Sequence, residues 1–162
     1  MTETLARIDA ATEAISKTLI AVADLAAPDA DGWRAADHAF HVAAWDRGCA
    51  ALLTGQLRWT AIGITEAIWR DGDVHRANAA IFAANRVRPA MTVVAALRES
   101  RTALREAVAT WEDDDLLAAY GAFQPDDRPM DFAPVYEWVA ENGWVHPAEH
   151  AEAIARIDAD VG

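Results

Sequence analysis

The sequence predicts an all-α protein, an antiparallel four-helix bundle with short additional helices, folded as a single domain over residues 1–162. Three observations carry this. Alanine is abundant, Gly and Pro number only 8 and 6, and apolar residues recur at steps of three and four through most of the length. That is the period of a helix with one buried face. At 162 residues the chain is of ordinary size for one domain and long enough to bury a continuous core.

The first predicted helix runs from about Thr2 to Ala26, with Leu5, Ile8, Ala11, Ile15, Leu19, Val22 and Leu25 on one stripe. The stretch from Ala27 to Gly32 reads as a turn, because Pro28 and Gly32 both break helices. A second helix is expected from Ala35 to Thr54, stopping at Gly55. Residues Gln56 to Gly72 read as a loop with one short helical piece, interrupted by glycines. Asp73 is placed as the cap of a helix reaching about Val87, which Pro89 breaks. A strongly periodic helix follows, through Val93, Leu97, Ser100, Arg101, Leu104, Val108 and Trp111. The acidic run Glu112 to Asp115 ends it and reads as solvated surface. Leu117 to Pro134, with Pro125, Pro129 and Pro134, is the longest irregular stretch. A short helix is expected from Val135 to Asn142, stopped by Asn142-Gly143. The last helix starts near Pro147, which makes His146 its N-cap, set just ahead of the helix in non-helical geometry.

Charge and composition exclude several functions. The formal net charge is −12 with only 14 basic residues scattered among acidic neighbours, so no phosphate-binding face is expected and nucleic acid is not a partner. No apolar run approaches the roughly 18 residues needed to span a bilayer. Met1-Thr2-Glu3-Thr4 lacks a basic region followed by an apolar core, so no signal peptide is expected. A single cysteine, Cys49, fits a reducing compartment and reads as a small apolar residue within a helix, not as a nucleophile. The expected location is the cytoplasm.

His41, in the second predicted helix, and His146 with His150 supply the chemical lead. Two imidazoles four residues apart share a helix face, and a third from a facing helix completes a three-nitrogen site for a divalent metal. The competing reading takes them as surface or capping histidines. His41 lies among Phe40, Ala43 and Ala44, where a buried histidine must be paired, hydrogen-bonded or liganded. His75, beside Asp73 and Arg76, reads as surface.

The order of these features resembles the DinB-like superfamily (DinB/YfiT-like metalloenzymes), closest to the ClbS/DfsB-type four-helix bundles. Trp33-Arg34-Ala35-Ala36-Asp37-His38-Ala39-Phe40-His41-Val42-Ala43-Ala44-Trp45-Asp46 resembles the second-helix signature. Asp73 followed by Asn78-Ala79-Ala80-Ile81 resembles the mid-chain segment. Val135 to Ile154, with His146-Pro147-Ala148-Glu149-His150, resembles the final one. The resemblance implies a metal-binding bundle in which His41, His146 and His150 hold a divalent ion, nickel or zinc. The superfamily includes thiol-dependent transferases and isomerases, and proteins that protect against reactive small molecules. The sequence departs from the family pattern at Pro147, where an aromatic is frequent, and adds His38 as a spare ligand or a partner behind the ligands.

Three imidazoles leave open positions for water or substrate, as in catalytic metal sites. Glu149 is the candidate general base, or else a carboxylate suiting the helix start. Asp37 is a candidate to orient the second ring nitrogen of His41, or else a residue of the helix's first turn. Most of Trp33, Trp45, Trp59, Trp69, Trp138 and Trp144 read as core, with Trp45 and Trp144 candidates to line an apolar pocket at the site. The expected function is a metal-dependent enzyme acting on a small molecule by hydrolysis or thiol transfer, in detoxification or self-protection. A low-molecular-weight thiol is a possible cosubstrate, and a homodimer the expected assembly. The alternative is a non-catalytic small-molecule-binding bundle or a dimeric scaffold.

Overall fold

The computed structural model describes residues 1–22, 26–86, 88–124 and 131–161, and the described residues are helical with no strand. Leu25, Val87, Pro125 and Pro129 lie outside them. The order is α1 (Thr2–Ala21), α2 (Ala35–Leu53), α3 (Arg58–Ile62), α4 (Glu66–Asp71), α5 (Val74–Asn85), α6 (Ala90–Ala109), a 3₁₀ turn (Asp115–Leu117), α7 (Tyr120–Phe123), α8 (Val135–Ala140), a π-helical segment (Glu141–Val145) and α9 (His146–Val161). No helix among the described residues is long and apolar enough to cross a membrane.

Four long elements dominate. Helix α2 packs along α6 and also meets α9, while α1 packs on α9 and α6. The short α3 and α5 lie against α2. Helix α2 is the most deeply buried, with Ala35, Ala39, Val42, Ala43 and Ala44 at 0–3 % exposure, and its alanines let neighbouring backbones approach closely. The core falls into two apolar clusters. One gathers Ile15, Leu19, Phe40, Leu97 and Ile154; the other gathers Ile8, Leu52, Leu104, Tyr120 and Val139. Along α2 and α6, where one cluster gives way to the other, lie the buried polar residues Asp46, Ser100 and Arg101.

Several boundaries differ from those expected. Helix α1 ends at Ala21, because Val22 is extended (φ −70°, ψ 118°) and carries its side chain into the core. The stretch from Gln56 to Gly72 holds two short helices instead of one. Gly63 (φ 91°) and Gly72 (φ 74°) terminate them in left-handed geometry, and the Thr65 hydroxyl caps the second by accepting from Ile68 N–H. The irregular stretch before Pro134 contains α7. Asp73 does cap α5, accepting from the N–H groups of His75 and Arg76.

The largest correction concerns the final segment. Asn142-Gly143 does not stop the helix, and His146 is not an N-cap. Helix α8 passes through the π segment into α9, and His146 itself is helical (φ −57°, ψ −44°) despite preceding a proline. The π register explains how. The His146 N–H donates to Glu141 carbonyl, one residue further back than in an α-helix, and Pro147 has no N–H to donate. In α geometry these two donors would have met the carbonyls of Asn142 and Gly143. Both carbonyls accept from the Arg101 guanidinium instead, at 3.0 and 2.6 Å.

Candidate metal centre

Helix α2 carries His41 on the side that meets α9, and α9 carries His146 and His150 one turn apart on a single face. The result is convergence. His41 Nε2 lies 3.0 Å from His146 Nε2, and His146 Nε2 lies 3.0 Å from His150 Nε2. One ligand atom from each lies within 4.8 Å of the others, and the group can hold a metal ion.

Protons alone do not account for this cluster. A neutral imidazole nitrogen has one in-plane position, filled by either a hydrogen or a lone pair. His146 Nε2 therefore serves one of its two 3.0 Å contacts well and leaves the other poorly made. A cation sharing the three lone pairs relieves that conflict, so the donor set fits a divalent ion that accepts imidazole nitrogen.

Burial keeps the three imidazoles uncharged. It pulls the His41 pKa down to about 3, helped by positive charge at His146 and His38. His146 falls to about 4, through burial and then Arg101. His150 falls to about 2, through burial and then its imidazole neighbours. Neutral imidazole is the form that binds metal.

Behind His150 stands His38, whose Nδ1 lies 2.8 Å from His150 Nδ1. Its Nε2 lies 2.9 Å from Asp29 Oδ2. Burial acts to raise the Asp29 pKa, but hydrogen bonds from Trp33 N–H, His38 and Asp31 N–H outweigh it and leave the carboxyl below its usual range. Trp33 packs against three of the imidazoles, with ring centroids 5.2 Å from His38, 5.3 Å from His41 and 6.3 Å from His150. Phe82 stacks on that indole.

On another side the cluster opens, through His41 and His146, onto a cavity of about 340 Å³. Trp45, Trp69 and Trp138 line it, together with Asn78 and Glu141, and no Lys or Arg is among the described lining residues. Trp45 Nε1 donates to Asn78 Oδ1 at 3.1 Å, which holds the indole across the opening. Burial, and then the charge of Glu149, push the Glu141 carboxyl above its usual range.

The remaining expected residues fall elsewhere. Asp37 does not reach the second nitrogen of His41. Its carboxylate accepts from the Arg34 backbone and guanidinium in a capping arrangement, and from Asn85 Nδ2 at 2.7 Å. His41 Nδ1 is buried and has no hydrogen-bond partner among the described residues. Glu149 is exposed and off the cavity lining, since its position on α9 points away from the face that carries the two histidines. The carboxylates on the cavity lining are Asp73 and Glu141. Trp144 is absent from the lining too; it packs on Tyr136 and beneath Arg7, beside the other core cluster. Cys49 is buried, and burial pushes its thiol up to about 12, which suits an inert core residue.

Asp29, Glu141 and Arg101 are the residues that reading the sequence missed. Arg101 carried a signal: it stands in an apolar stripe between Leu97 and Leu104, an inward position that requires a buried partner. Asp29 lies in a turn, where an aspartate has local roles enough to hide a distant one.

Comparison of the chain with protein-family models, with curated proteins and with solved structures finds no match. What defines the protein is its own architecture, an all-helical fold with a three-histidine group beside an aromatic cavity.

Proposed function

We propose that the protein is a divalent-metal-dependent enzyme of the DinB-like type, its four long helices forming an antiparallel bundle, acting on a small molecule by hydrolysis or thiol transfer. The observation that carries this is the convergence of three uncharged Nε2 atoms beside a cavity large enough for a small organic substrate. Nickel or zinc suits the donor set, because both accept imidazole nitrogen. The ion supplies Lewis acidity, which lowers the pKa of bound water or thiol and polarises a substrate oxygen.

The chain's own residues supply the rest. Three indoles shape an apolar wall for the substrate body and displace water from it. Glu141, on that wall with a raised pKa, is the group that takes up and returns a proton. Asp73 and Glu141 on the lining, with no cationic side chain among the described lining residues, favour a substrate whose body is uncharged or positive over one with an anionic tail. The buried Cys49 cannot serve as the thiol, so thiol transfer requires a low-molecular-weight thiol from solution. The cytoplasm and a homodimer go with this reading.

Metal content of protein purified without a histidine tag is the direct test. Stoichiometric metal is expected, lost in both His41→Ala and His150→Ala. Absence of bound metal after incubation with nickel, zinc and manganese would overturn the reading. Metal bound without turnover of thiol or hydrolytic substrates would leave a binding bundle or scaffold.

A further inference from the structure

The segment ahead of α2 brings a carboxylate to the back of the metal cluster. Asp29 Oδ1 accepts from two backbone donors, Asp31 N–H at 3.0 Å and Trp33 N–H at 2.8 Å. That leaves Oδ2 facing His38 Nε2 at 2.9 Å. His38 Nδ1 in turn faces His150 Nδ1 at 2.8 Å, and His150 Nε2 stands in the cluster.

Hydrogen-bond roles along this line follow from one end. An ionised carboxylate only accepts, so His38 carries its proton on Nε2. A neutral imidazole has one proton, so His38 Nδ1 is an acceptor and His150 must donate from its own Nδ1. The Nε2 of His150 is then a bare lone pair. We propose that Asp29 and His38 are positioning residues that select this tautomer of His150 and so aim its lone pair at a divalent ion. The proposal rests on the three-histidine metal reading. It differs from the usual carboxylate–histidine–metal pair by one inserted imidazole, which transmits the carboxylate's preference over a second ring.

The pinned geometry of Asp29 makes the idea sharply testable. In Asp29→Asn the two backbone N–H groups still require an oxygen at the Oδ1 position. The amide nitrogen then replaces Oδ2 and donates to His38 Nε2. His38 must move its proton to Nδ1 and donate to His150 Nδ1, which puts the His150 proton on Nε2, in the ligand position. Asp29→Ala removes the selector without reversing it. The replacement most similar in shape is therefore expected to do the greater harm.

Zinc affinity, measured by competition with a chromophoric chelator, should fall about tenfold in Asp29→Ala and about a hundredfold in Asp29→Asn. His38→Phe, which leaves the turn intact, should weaken zinc in the range between them. Nitrogen NMR of the metal-free protein should show His150 as the Nδ1–H tautomer in the parent chain and as Nε2–H in Asp29→Asn. Equal zinc affinity in the parent, Asn and Ala proteins, with the His150 tautomer unchanged, would overturn the proposal. If the parent chain binds no zinc, the metal reading fails. The tautomer measurement then still decides the relay, since it needs no metal.

Discussion

Three imidazoles of the cluster are held neutral by burial, with pKa values near 3, 4 and 2 for His41, His146 and His150. Each lies below the ordinary value of about 6.5 that the unfolded chain shows. On acidification the unfolded chain therefore takes up protons first. Stability from these groups is whole above about pH 6.5 and is lost as the pH falls toward their folded values. Each uncoupled histidine contributes a slope of at most about 1.4 kcal/mol per pH unit. Urea unfolding of the metal-free protein should show a midpoint that drops from pH 7 to pH 5. The drop should be smaller in His150→Gln; an equal drop in both would show that the cluster does not titrate with folding.

At the scale of the element, the π segment sets the pitch that carries His146 and His150 into the site. It persists because Arg101 answers two carbonyls that Pro147 and the shifted register leave without helical donors. The guanidinium also donates to Asp46 Oδ1, Thr12 Oγ1 and the Ile8 carbonyl, so all five of its N–H groups are used. Arg101 is 1 % exposed and Asp46 is fully buried, which makes the arrangement costly to break. Arg101→Met leaves the buried Asp46 carboxylate with the Ser100 hydroxyl but without its cation, and takes the guanidinium from two carbonyls. It is expected to cost about 3–5 kcal/mol in denaturant unfolding and to weaken metal binding along with it. Unchanged metal affinity in a folded Arg101→Met protein would show that the π segment keeps its geometry unaided.

For the whole molecule, the candidate ligands lie on α2 and α9, so an ion bound by them would tie two of the long helices together. An ion that binds only the folded chain stabilises it by about 4 kcal/mol at a thousandfold excess over Kd. For a chain of this size that corresponds to a rise of roughly 10 °C in Tm. Scanning calorimetry with and without zinc should show the rise in the parent protein and lose it in His41→Ala. Chelator should reverse it. An equal rise in the variant would mean that zinc acts elsewhere on the chain.

What could be read from the sequence was whatever depends on neighbours within one or two helical turns. The stripes of the long helices, the limits of α2, the Asp73 cap and the three histidines as a candidate set all carry local periodicity or spacing. The Asn142-Gly143 stop was misread for the same reason: by local rules Pro147 and Gly143 end a helix, and only a guanidinium from α6 lets it continue. Asp29 reaches His38, and His38 reaches His150, 112 positions away along the chain. Glu141, at the start of the π segment, lies on the cavity lining, while Glu149 sits on α9 off the face that carries the two histidines. Residue types and helical period determined that imidazoles would share a helix face. The packing of α2 against α9 decided that they converge, which groups stand behind them, and which carboxylate lies within reach, because those contacts exist only once distant helices are brought together.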